Sequence, residues 1–278
     1  MSYRIEAVGS SSSAQLDPAY AALAAEFAPR GELERREVIE RWLDAPGAGG
    51  EGSLRRSYHL LVARADGGAL AGVRDCHVVL DTQSGIAIVY LAHVLVLPAF
   101  RRTGLGALFR SEPIALARRA IKEAGMVDRT VDVLLAAEME PASESDEASL
   151  IRLAVYGKEG FSAIAPAALP YCQPDFGALG DPSEARPIPL LAIVRHLGHE
   201  GALTLPTRLA RAFVRHLYAV FATHVRADHL APLERRTLDA LDAFHRDEVP
   251  LLPLPRTIDD RAALLPLSRA AVRPFFPS

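Results

Sequence analysis

The chain has 278 residues, of which 50% are hydrophobic and 23% charged, so it can bury a full core and is not disordered in bulk. Its formal net charge of −3 does not favour a nucleic-acid-binding surface. The longest apolar run, residues 86–97, is too short for a membrane span, and the first residues, MSYRIEAVGSSSSAQ, lack the apolar segment of a secretory signal. We therefore predict a cytoplasmic protein that binds neither nucleic acid nor membrane.

Apolar periodicity predicts alternating strands and helices along the chain. The Asp-Gly-Gly sequence at 66–68 predicts a hairpin turn, Gly31 divides a long helical segment, and Pro113 kinks or limits another helix. The strands are predicted at 3–8, 58–65, 71–80, 85–97, 131–137, 161–164, 171–173 and 189–195. The helices are predicted at 17–43, 105–124 and 148–158. The strand 85–97 is long enough to bend or bulge.

The segment after residue 201 has the pattern of two amphipathic, antiparallel helices, at 206–225 and 232–244. The tail from Val249 is rich in proline and leucine and is predicted to be an irregular strap. These features predict a domain at 1–200 and a helical C-terminal extension at 201–278. The extension can pack on the core, cover an acceptor site or form a dimer surface, and packing is the commonest use of such a face.

A turn rich in arginine and glycine follows the strand that ends near Leu97. Pro98 has no amide hydrogen and ends the strand ladder, whereas Gly104 and Gly106 allow unusual dihedrals and a close approach of an anion to the backbone. A helix then begins, and its first turn presents unpaired N–H groups and a partial positive charge. The pattern predicts a phosphate-binding turn. Its residues are Arg101, Arg102, Thr103, Gly104, Leu105, Gly106 and Ala107.

Arg101, Gly104 and Gly106 form an R-x-x-G-x-G pattern, which resembles the acetyl-CoA-binding motif of the GNAT family of acyltransferases. A P-loop would need Gly-Lys-Ser/Thr at the second glycine, where this chain has Gly106 followed by Ala107, and the dinucleotide fingerprint would need a glycine at Phe109. The resemblance implies a mixed α/β fold, in which a central mixed sheet is flanked by helices, and acetyl-CoA as the acyl donor.

The resemblance also assigns roles to the strand before the turn. It implies that the backbone amides of Leu95 and Val96 bind the pantetheine arm of CoA. It further implies that backbone N–H groups between Val94 and Val96 polarise the thioester carbonyl.

A second motif, residues 156–161 with the sequence YGKEGF, lies where a predicted helix ends at Gly160 and a strand begins. It is similar to the Y-x-K-x-G-F pattern of many GNAT enzymes. The resemblance implies that Tyr156 protonates the departing CoA thiolate, which a phenol can do because it stays protonated at neutral pH. The alternative is a partly buried helix residue without a catalytic role.

The general base is the point at which the sequence departs from the family. The resemblance implies a glutamate on the strand before the phosphate turn, but residues 90–93, Tyr-Leu-Ala-His, contain no carboxylate. His93 has suitable chemistry for a base, although strand alternation can place it on the wrong face, where it would be a hydrogen-bonded core histidine. Glu138 and Glu140, after the next strand, are alternatives within an acidic run that is typical of a solvated loop.

No metal site or disulfide is predicted. Cys76 and Cys172 are too few and too isolated, and are predicted to be buried free thiols in a reducing compartment. His196 and His199 form an H-x-x-H pair, but the sequence shows no third ligand for zinc.

Together these features predict an N-acyltransferase that moves an acetyl group from acetyl-CoA to an amine by direct attack in a ternary complex. The acceptor is a small-molecule or peptide amine, and homodimers are common in the family. Because the usual strand carboxylate is missing, the alternative is a catalytically degenerate CoA-binding sensor or interaction protein.

Overall fold

The computed structural model describes residues 2–45, 52–143, 147–174, 187–260 and 268–271. The chain divides into two compact units, Met1–Leu135 and Ala136–Ser278. The boundary predicted after residue 200 therefore falls within the second unit. The predicted class, a mixed α/β fold with a large sheet flanked by helices, is confirmed.

The first unit contains the strands that surround the phosphate turn. They are β1 (Tyr3–Ala7), β2 (Leu54–Ala65), β3 (Leu70–Asp81), β4 (Ile86–Tyr90), β5 (Val94–Val96) and the first half of β6 (Asp132–Met139). β2 and β3 form a long antiparallel hairpin, whose turn has positive φ at Gly67 and Gly68 as the sequence predicts. β1 pairs with β2, and β3 pairs with both β4 and β5. β6 lies next to β4.

Helices cover both faces of β3, which is buried along almost its whole length. The helices α1 (Leu16–Phe27) and α2 (Arg36–Asp44) contribute to a hydrophobic cluster that includes Val73 of β3. On the opposite face, Gly72 lies against α3 (Leu105–Glu123). Because side chains alternate along a strand, odd residues near this point face α1 and α2, and even residues face α3.

The long strand predicted at 85–97 is interrupted by a β-bulge, as the sequence allowed. Tyr90 lies opposite His77, while Val94 lies opposite Arg74, so two residues, Leu91 and Ala92, face the single residue Cys76. One extra residue reverses the alternation of side chains after the bulge. The bulge therefore decides which face of the sheet receives His93.

The second unit consists of the rest of β6 and the elements that follow it. They are α4 (Glu147–Lys158), β7 (Ser162–Ile164), β8 (Cys172–Gln173), β9 (Ile188–Pro189), β10 (Leu191–His196), β11 (Thr204–Pro206), α5 (Thr207–Phe221), α6 (Ala227–Ala243) and β12 (Glu248–Pro253). The strand order is β6-β10-β7-β12-β11, with β8 and β9 as a separate pair.

The two helices predicted after residue 201 are confirmed as α5 and α6, but the strap predicted from Val249 is wrong at its start. Residues 248–253 form β12, which pairs with β7 so that Leu251 lies opposite Ile164. Val249 and Leu251 are buried, and this alternation is typical of a strand with one covered face. Among the helices of the described residues, none combines the length and apolarity needed to cross a bilayer.

Candidate functional site

The predicted phosphate turn forms the start of α3. Gly104, which precedes the helix, has a left-handed φ of 90°, a conformation that favours glycine. The amides of Ala107 and Leu108 donate to the Gly104 carbonyl, at 3.0 and 3.3 Å. The amides of residues 102–106 donate to no acceptor in the described part of the chain. The turn thus offers a continuous run of backbone donors, and Ala107, predicted to belong to it, is committed to the helix instead.

The side chains of the turn leave positive charge at its surface. Arg101, Arg102 and Gly104 are exposed, and no atom lies within 4 Å of the position that a Cβ on Gly104 would take. Arg101 donates through Nε to the Val96 carbonyl at 3.2 Å, which holds it beside the strand. Thr103 donates to the Phe100 carbonyl and accepts from the Tyr3 hydroxyl, each at 2.5 Å, so its hydroxyl has a structural role.

A glycine on β3 fixes the start of α3 against the sheet. A Cβ on Gly72 would lie 2.8 Å from Cε2 of Phe109 and 3.3 Å from Cδ2 of Leu105, both closer than real Cβ atoms normally come. Leu105 and Phe109 are completely buried. The side chain of Leu105 therefore anchors the helix, and only its amide remains for a ligand.

The register of β5 determines which of its amides are available. Leu97 donates to the Ala71 carbonyl at 3.0 Å, and the His93 carbonyl accepts from Asp75 at 3.1 Å. Hydrogen-bonded pairs alternate in an antiparallel ladder, so Leu95 is bonded to Val73. The predicted role of the Leu95 amide is therefore wrong. The amides of Val94 and Val96 point away from β3, and β3 is the only described partner strand of β5.

His93 lies in a buried charged network on the face covered by α1 and α2. Its backbone amide donates to Oδ1 of Asp75 at 2.6 Å, its Nδ1 lies 3.1 Å from both Asp75 oxygens, and its Nε2 lies 2.9 Å from the Glu32 carbonyl. Asp75 also accepts from the Tyr58 hydroxyl at 3.0 Å. His93 and Asp75 are 7% and 1% exposed, so this network is part of the core.

The electrostatics of this network favour a protonated His93 and argue against it as the general base. Burial opposes protonation of His93, but the charge and hydrogen bonds of Asp75, helped by Glu34, outweigh it and raise the pKa of His93 to about 10. Burial likewise opposes ionisation of Asp75, but His93 holds the pKa of its carboxyl below the usual value. A histidine that is already protonated at neutral pH cannot take a proton from an amine. Both ring nitrogens of His93 have protein partners, so the structure shows the alternative, a hydrogen-bonded core histidine, and gives a base at His93 no support.

Glu34 is a buried acid that the sequence analysis did not single out. It is 3% exposed, and burial raises its pKa to about 7, although the His93 cation partly opposes this shift. Its Oε2 is enclosed, and no residue in the described ranges gives it a hydrogen bond. Glu34 thus sits near half-ionisation at neutral pH, and no sequence pattern marks it, because it lies in the connection between α1 and α2.

Arg74 is the second buried charge that the sequence analysis missed. It is 1% exposed, and its Nε and Nη2 are enclosed without a hydrogen-bond partner among the described residues. The signal was present in the sequence, since Arg74-Asp75 is a charged pair inside the apolar strand 70–81. Arg74 and Asp75 contact different parts of the protein, because their side chains lie on opposite faces of the sheet.

Tyr156 belongs to the last turn of α4 in the second unit. Its ring packs edge-on against Phe161, with centroids 5.0 Å apart, and its carbonyl accepts from the Phe161 amide at 3.1 Å. Gly160, with a φ of 82°, ends the helix as predicted. A Cβ on Gly157 would lie 2.2 Å from the Pro255 carbonyl oxygen, so the glycine beside Tyr156 is required by a close backbone contact. No described residue hydrogen-bonds the half-buried Tyr156 hydroxyl, and its catalytic role stays a prediction.

The two alternative carboxylates lie at the end of β6. Glu138 accepts a hydrogen bond from the Tyr171 hydroxyl, and Glu140 forms an ion pair with Arg152 at 2.9 Å. Both carboxylates therefore already have protein partners. The His196 and His199 rings stack 4.2 Å apart, and Cys76 and Cys172 are buried free thiols, as predicted.

Neither the family models nor the curated proteins contain a match to the chain. Similar solved structures include a GNAT-family acetyltransferase from Staphylococcus aureus, which is 11% identical over 70% of this chain and 99% of that one, with a TM-score of 0.40. Ard1 from Thermoplasma volcanium is 16% identical over 70% and 98% of the two chains, with a TM-score of 0.39.

A third similar structure is an aminoglycoside acetyltransferase from an uncultured soil metagenomic sample, solved with sisomicin. It is 12% identical over 54% of this chain and 84% of that one, with a TM-score of 0.36. At these identities and TM-scores the likenesses do not show a family for this chain.

Proposed function

We propose that this chain is an acyl-CoA-dependent N-acyltransferase of the GNAT type, which uses acetyl-CoA as donor and an amine as acceptor. The observation that carries the proposal is the run of unbonded amides at residues 102–106, at the start of α3 and beside two exposed arginines. Backbone donors at a helix N-terminus favour phosphate oxygens, and arginine adds charge-assisted hydrogen bonds. The pyrophosphate of CoA has the matching chemistry.

The backbone of the turn is open at Gly104. The left-handed Gly104 has no neighbouring atom where its side chain would be, so an anion can approach the backbone. Leu105 and Phe109 fasten the helix to Gly72, which keeps the donors in place without a contribution from the ligand. Preorganised donors bind an anion without a further ordering cost.

The strand β5 is proposed to hold the pantetheine arm. The amides of Val94 and Val96 point away from β3 and are suited to pair with an extended amide-bearing chain, in the manner of an added strand. Leu95 is left out of this role because its amide is bonded to Val73. The Val94 amide is also proposed to polarise the thioester carbonyl.

In the proposed reaction, the acceptor amine attacks the thioester carbonyl, so that a C–N bond forms and the C–S bond breaks. The nitrogen loses a proton and the departing thiolate gains one. Tyr156 is proposed as the proton donor to the thiolate, on the strength of the motif alone. His93 does not take the proton from the amine, and Glu138 stays a candidate for that step. No covalent acyl-enzyme is required, because approximation of the two substrates supplies much of the rate.

The proposal is tested by thermal unfolding with and without acetyl-CoA, in wild type and in two glutamate variants. At a ligand concentration of about 100 times Kd, the wild type is expected to gain about 2.7 kcal/mol. Gly104→Glu should lose this gain, because it places a negative, conformationally strained residue in the turn. Gly125→Glu is the matched control, since Gly125 also has a positive φ and open space around it but lies after the other end of α3. Absence of stabilisation in the wild type would overturn the CoA site.

A second measurement separates an enzyme from a CoA-binding sensor. The sensor is favoured by the missing strand carboxylate and by the burial of His93. Release of free CoA thiol is followed with a panel of amines. Amine-dependent release supports the transferase, and Tyr156→Phe should then lower kcat while leaving KM for acetyl-CoA unchanged. Binding without amine-dependent release would favour the sensor.

A further inference from the structure

We propose that Arg74 binds a carboxylate carried by one of the two substrates, so that the transferase selects an acidic acyl donor or an acidic acceptor. This inference rests on the proposed function. It starts from a buried cation that the described chain leaves without an acceptor. Nε and Nη2 of Arg74 are enclosed and unpartnered, and the residue is 1% exposed.

A buried guanidinium needs an anion more than other side chains do. It does not deprotonate in proteins, so it cannot escape the cost of burial by becoming neutral, and an unpaired buried charge is strongly unfavourable. The neighbouring groups do not supply the anion. Asp75 faces the other side of the sheet, where His93 and Tyr58 hold it. Cys76, on the same side as Arg74, is a neutral thiol, because burial raises its pKa to about 12.

The position of Arg74 links it to the proposed substrate path. Arg74 lies opposite Val94 of β5, in a pair of the ladder that is not hydrogen-bonded, where the two Cα atoms are about 4.5 Å apart. Val94 is one of the two residues whose free amides are proposed to hold the pantetheine arm. Arg74 also follows Gly72, the contact point of α3, by two residues, so its side chain lies on the face of the sheet that carries the phosphate turn.

The chemistry of the missing partner follows from these surroundings. The proposed function assigns the pyrophosphate of CoA to residues 102–106, whereas Arg74 lies beside the strand that is proposed to lead to the acyl end. A carboxylate matches the planar guanidinium through paired, charge-assisted hydrogen bonds. Nε and Nη2 are the guanidinium nitrogens without an acceptor, and the two oxygens of a carboxylate would pair with them. A dicarboxylic acyl group, such as succinyl, carries the carboxylate on the donor, and an α-amino acid carries it on the acceptor.

The experiment compares wild type with Arg74→Met, Arg74→Lys and the control Arg55→Met, which changes an exposed arginine on β2. In the donor arm, calorimetry gives Kd for succinyl-CoA, acetyl-CoA and CoA. A hydrogen bond to a charged group is strong enough for the wild type to bind succinyl-CoA about tenfold to a hundredfold more tightly than acetyl-CoA, if the carboxylate is on the donor. In the acceptor arm, amino acids are compared with their amides at saturating acetyl-CoA. Arg74→Met should abolish the preference, Arg74→Lys should keep part of it, and Arg55→Met should keep it all.

The outcomes separate the two sources of the carboxylate. A preference for succinyl-CoA that disappears in Arg74→Met places the carboxylate on the donor, and a preference for acids over amides that disappears places it on the acceptor. If wild type discriminates in neither arm, or if the preference survives Arg74→Met, the inference is wrong while the proposed function stands. If wild type binds no CoA compound at all, the proposed function fails and this inference fails with it. Folding of Arg74→Met is checked by its unfolding curve, since an apolar residue suits the buried site.

Discussion

The two faces of β3 differ in how far they satisfy the hydrogen-bonding groups of two neighbouring buried charges, Arg74 and Asp75. On the face covered by α1 and α2, Asp75 accepts hydrogen bonds from the His93 backbone, the His93 ring and Tyr58. On the face covered by α3, Arg74 is equally buried, but two of its enclosed nitrogens have no partner in the part of the chain that the structure describes. Both residues sit in the centre of the same apolar strand.

The difference separates a structural charge from a functional one. A buried pair whose hydrogen bonds are complete specifies the local fold, and here it holds the bulge that precedes β5. A buried cation without an acceptor is unfavourable in the absence of a ligand and becomes favourable only when an anion arrives. The face of β3 covered by α1 and α2 is therefore part of the core, whereas the face that carries Arg74 is part of the proposed site.

The largest effect is expected when the paired face loses one member. Asp75→Ala leaves the His93 cation buried without its carboxylate, which should lower the free energy of unfolding by about 3–5 kcal/mol. Urea denaturation at pH 7 measures it. The double variant Asp75→Ala/His93→Leu should recover part of the loss, because no buried cation remains. A loss below about 1 kcal/mol in the single variant would contradict a structural role for the pair.

The next largest effect is the pH dependence of the free energy of unfolding that the His93–Asp75 pair causes. Because the pKa of His93 is raised to about 10 in the folded state, folded His93 keeps a proton that the unfolded chain releases above its reference value of about 6.5. Its contribution to stability is therefore complete below pH 6.5 and is lost as the pH rises towards 10, by up to about 1.4 kcal/mol per pH unit. Denaturation curves across this range should be flatter for His93→Gln than for wild type. Parallel curves would argue against a protonated His93.

Glu34 should produce a smaller pH dependence of the free energy of unfolding, in a lower pH range than His93 does. Its pKa of about 7 lies above the usual value for a glutamate, so the folded state retains a proton between about pH 4.3 and 7 that the unfolded state has lost. Stability should therefore fall as the pH rises through this window. Glu34→Gln should remove that slope and leave the slope above pH 7 in place. Calorimetric unfolding at closely spaced pH values distinguishes the two windows.

The smallest change in stability is expected on the unpaired face. Arg74→Met removes a buried charge that no described residue compensates, so the free energy of unfolding without ligand should stay the same or rise. Urea denaturation of the ligand-free protein, run beside Asp75→Ala, makes the comparison direct. A loss as large as that of Asp75→Ala would mean that Arg74 has a structural partner, and the contrast between the faces would disappear.

Several parts of this molecule could be predicted locally. The hairpin turn at 66–68, the helix stop at Gly160 and the start of α3 after Gly104 each depend on glycine conformations that a short sequence window contains. The helices α4, α5 and α6 follow from apolar spacing. The predicted phosphate turn is likewise a local feature, since its donors come from consecutive residues.

Other parts depended on residues far apart in the chain. The sequence left two places open for His93, and the pairing with β3 selects the one beside Asp75, because the position of a bulge depends on the partner strand. The Leu95 amide is not available to a ligand, because the register of β5 with β3 pairs it with Val73. The strand at 248–253 was missed because β7, its partner, lies far away in the sequence.

The sequence by itself determined the turn, its glycines and arginines, and the order of most elements, because these depend on local backbone preferences and periodicity. Only the tertiary structure decided which charges are satisfied. Arg74 and Asp75 are adjacent in the sequence and equally polar, yet a strand turns consecutive side chains to opposite faces. Asp75 therefore has hydrogen-bond partners within the core, whereas Arg74 is proposed to obtain its partner from a bound carboxylate.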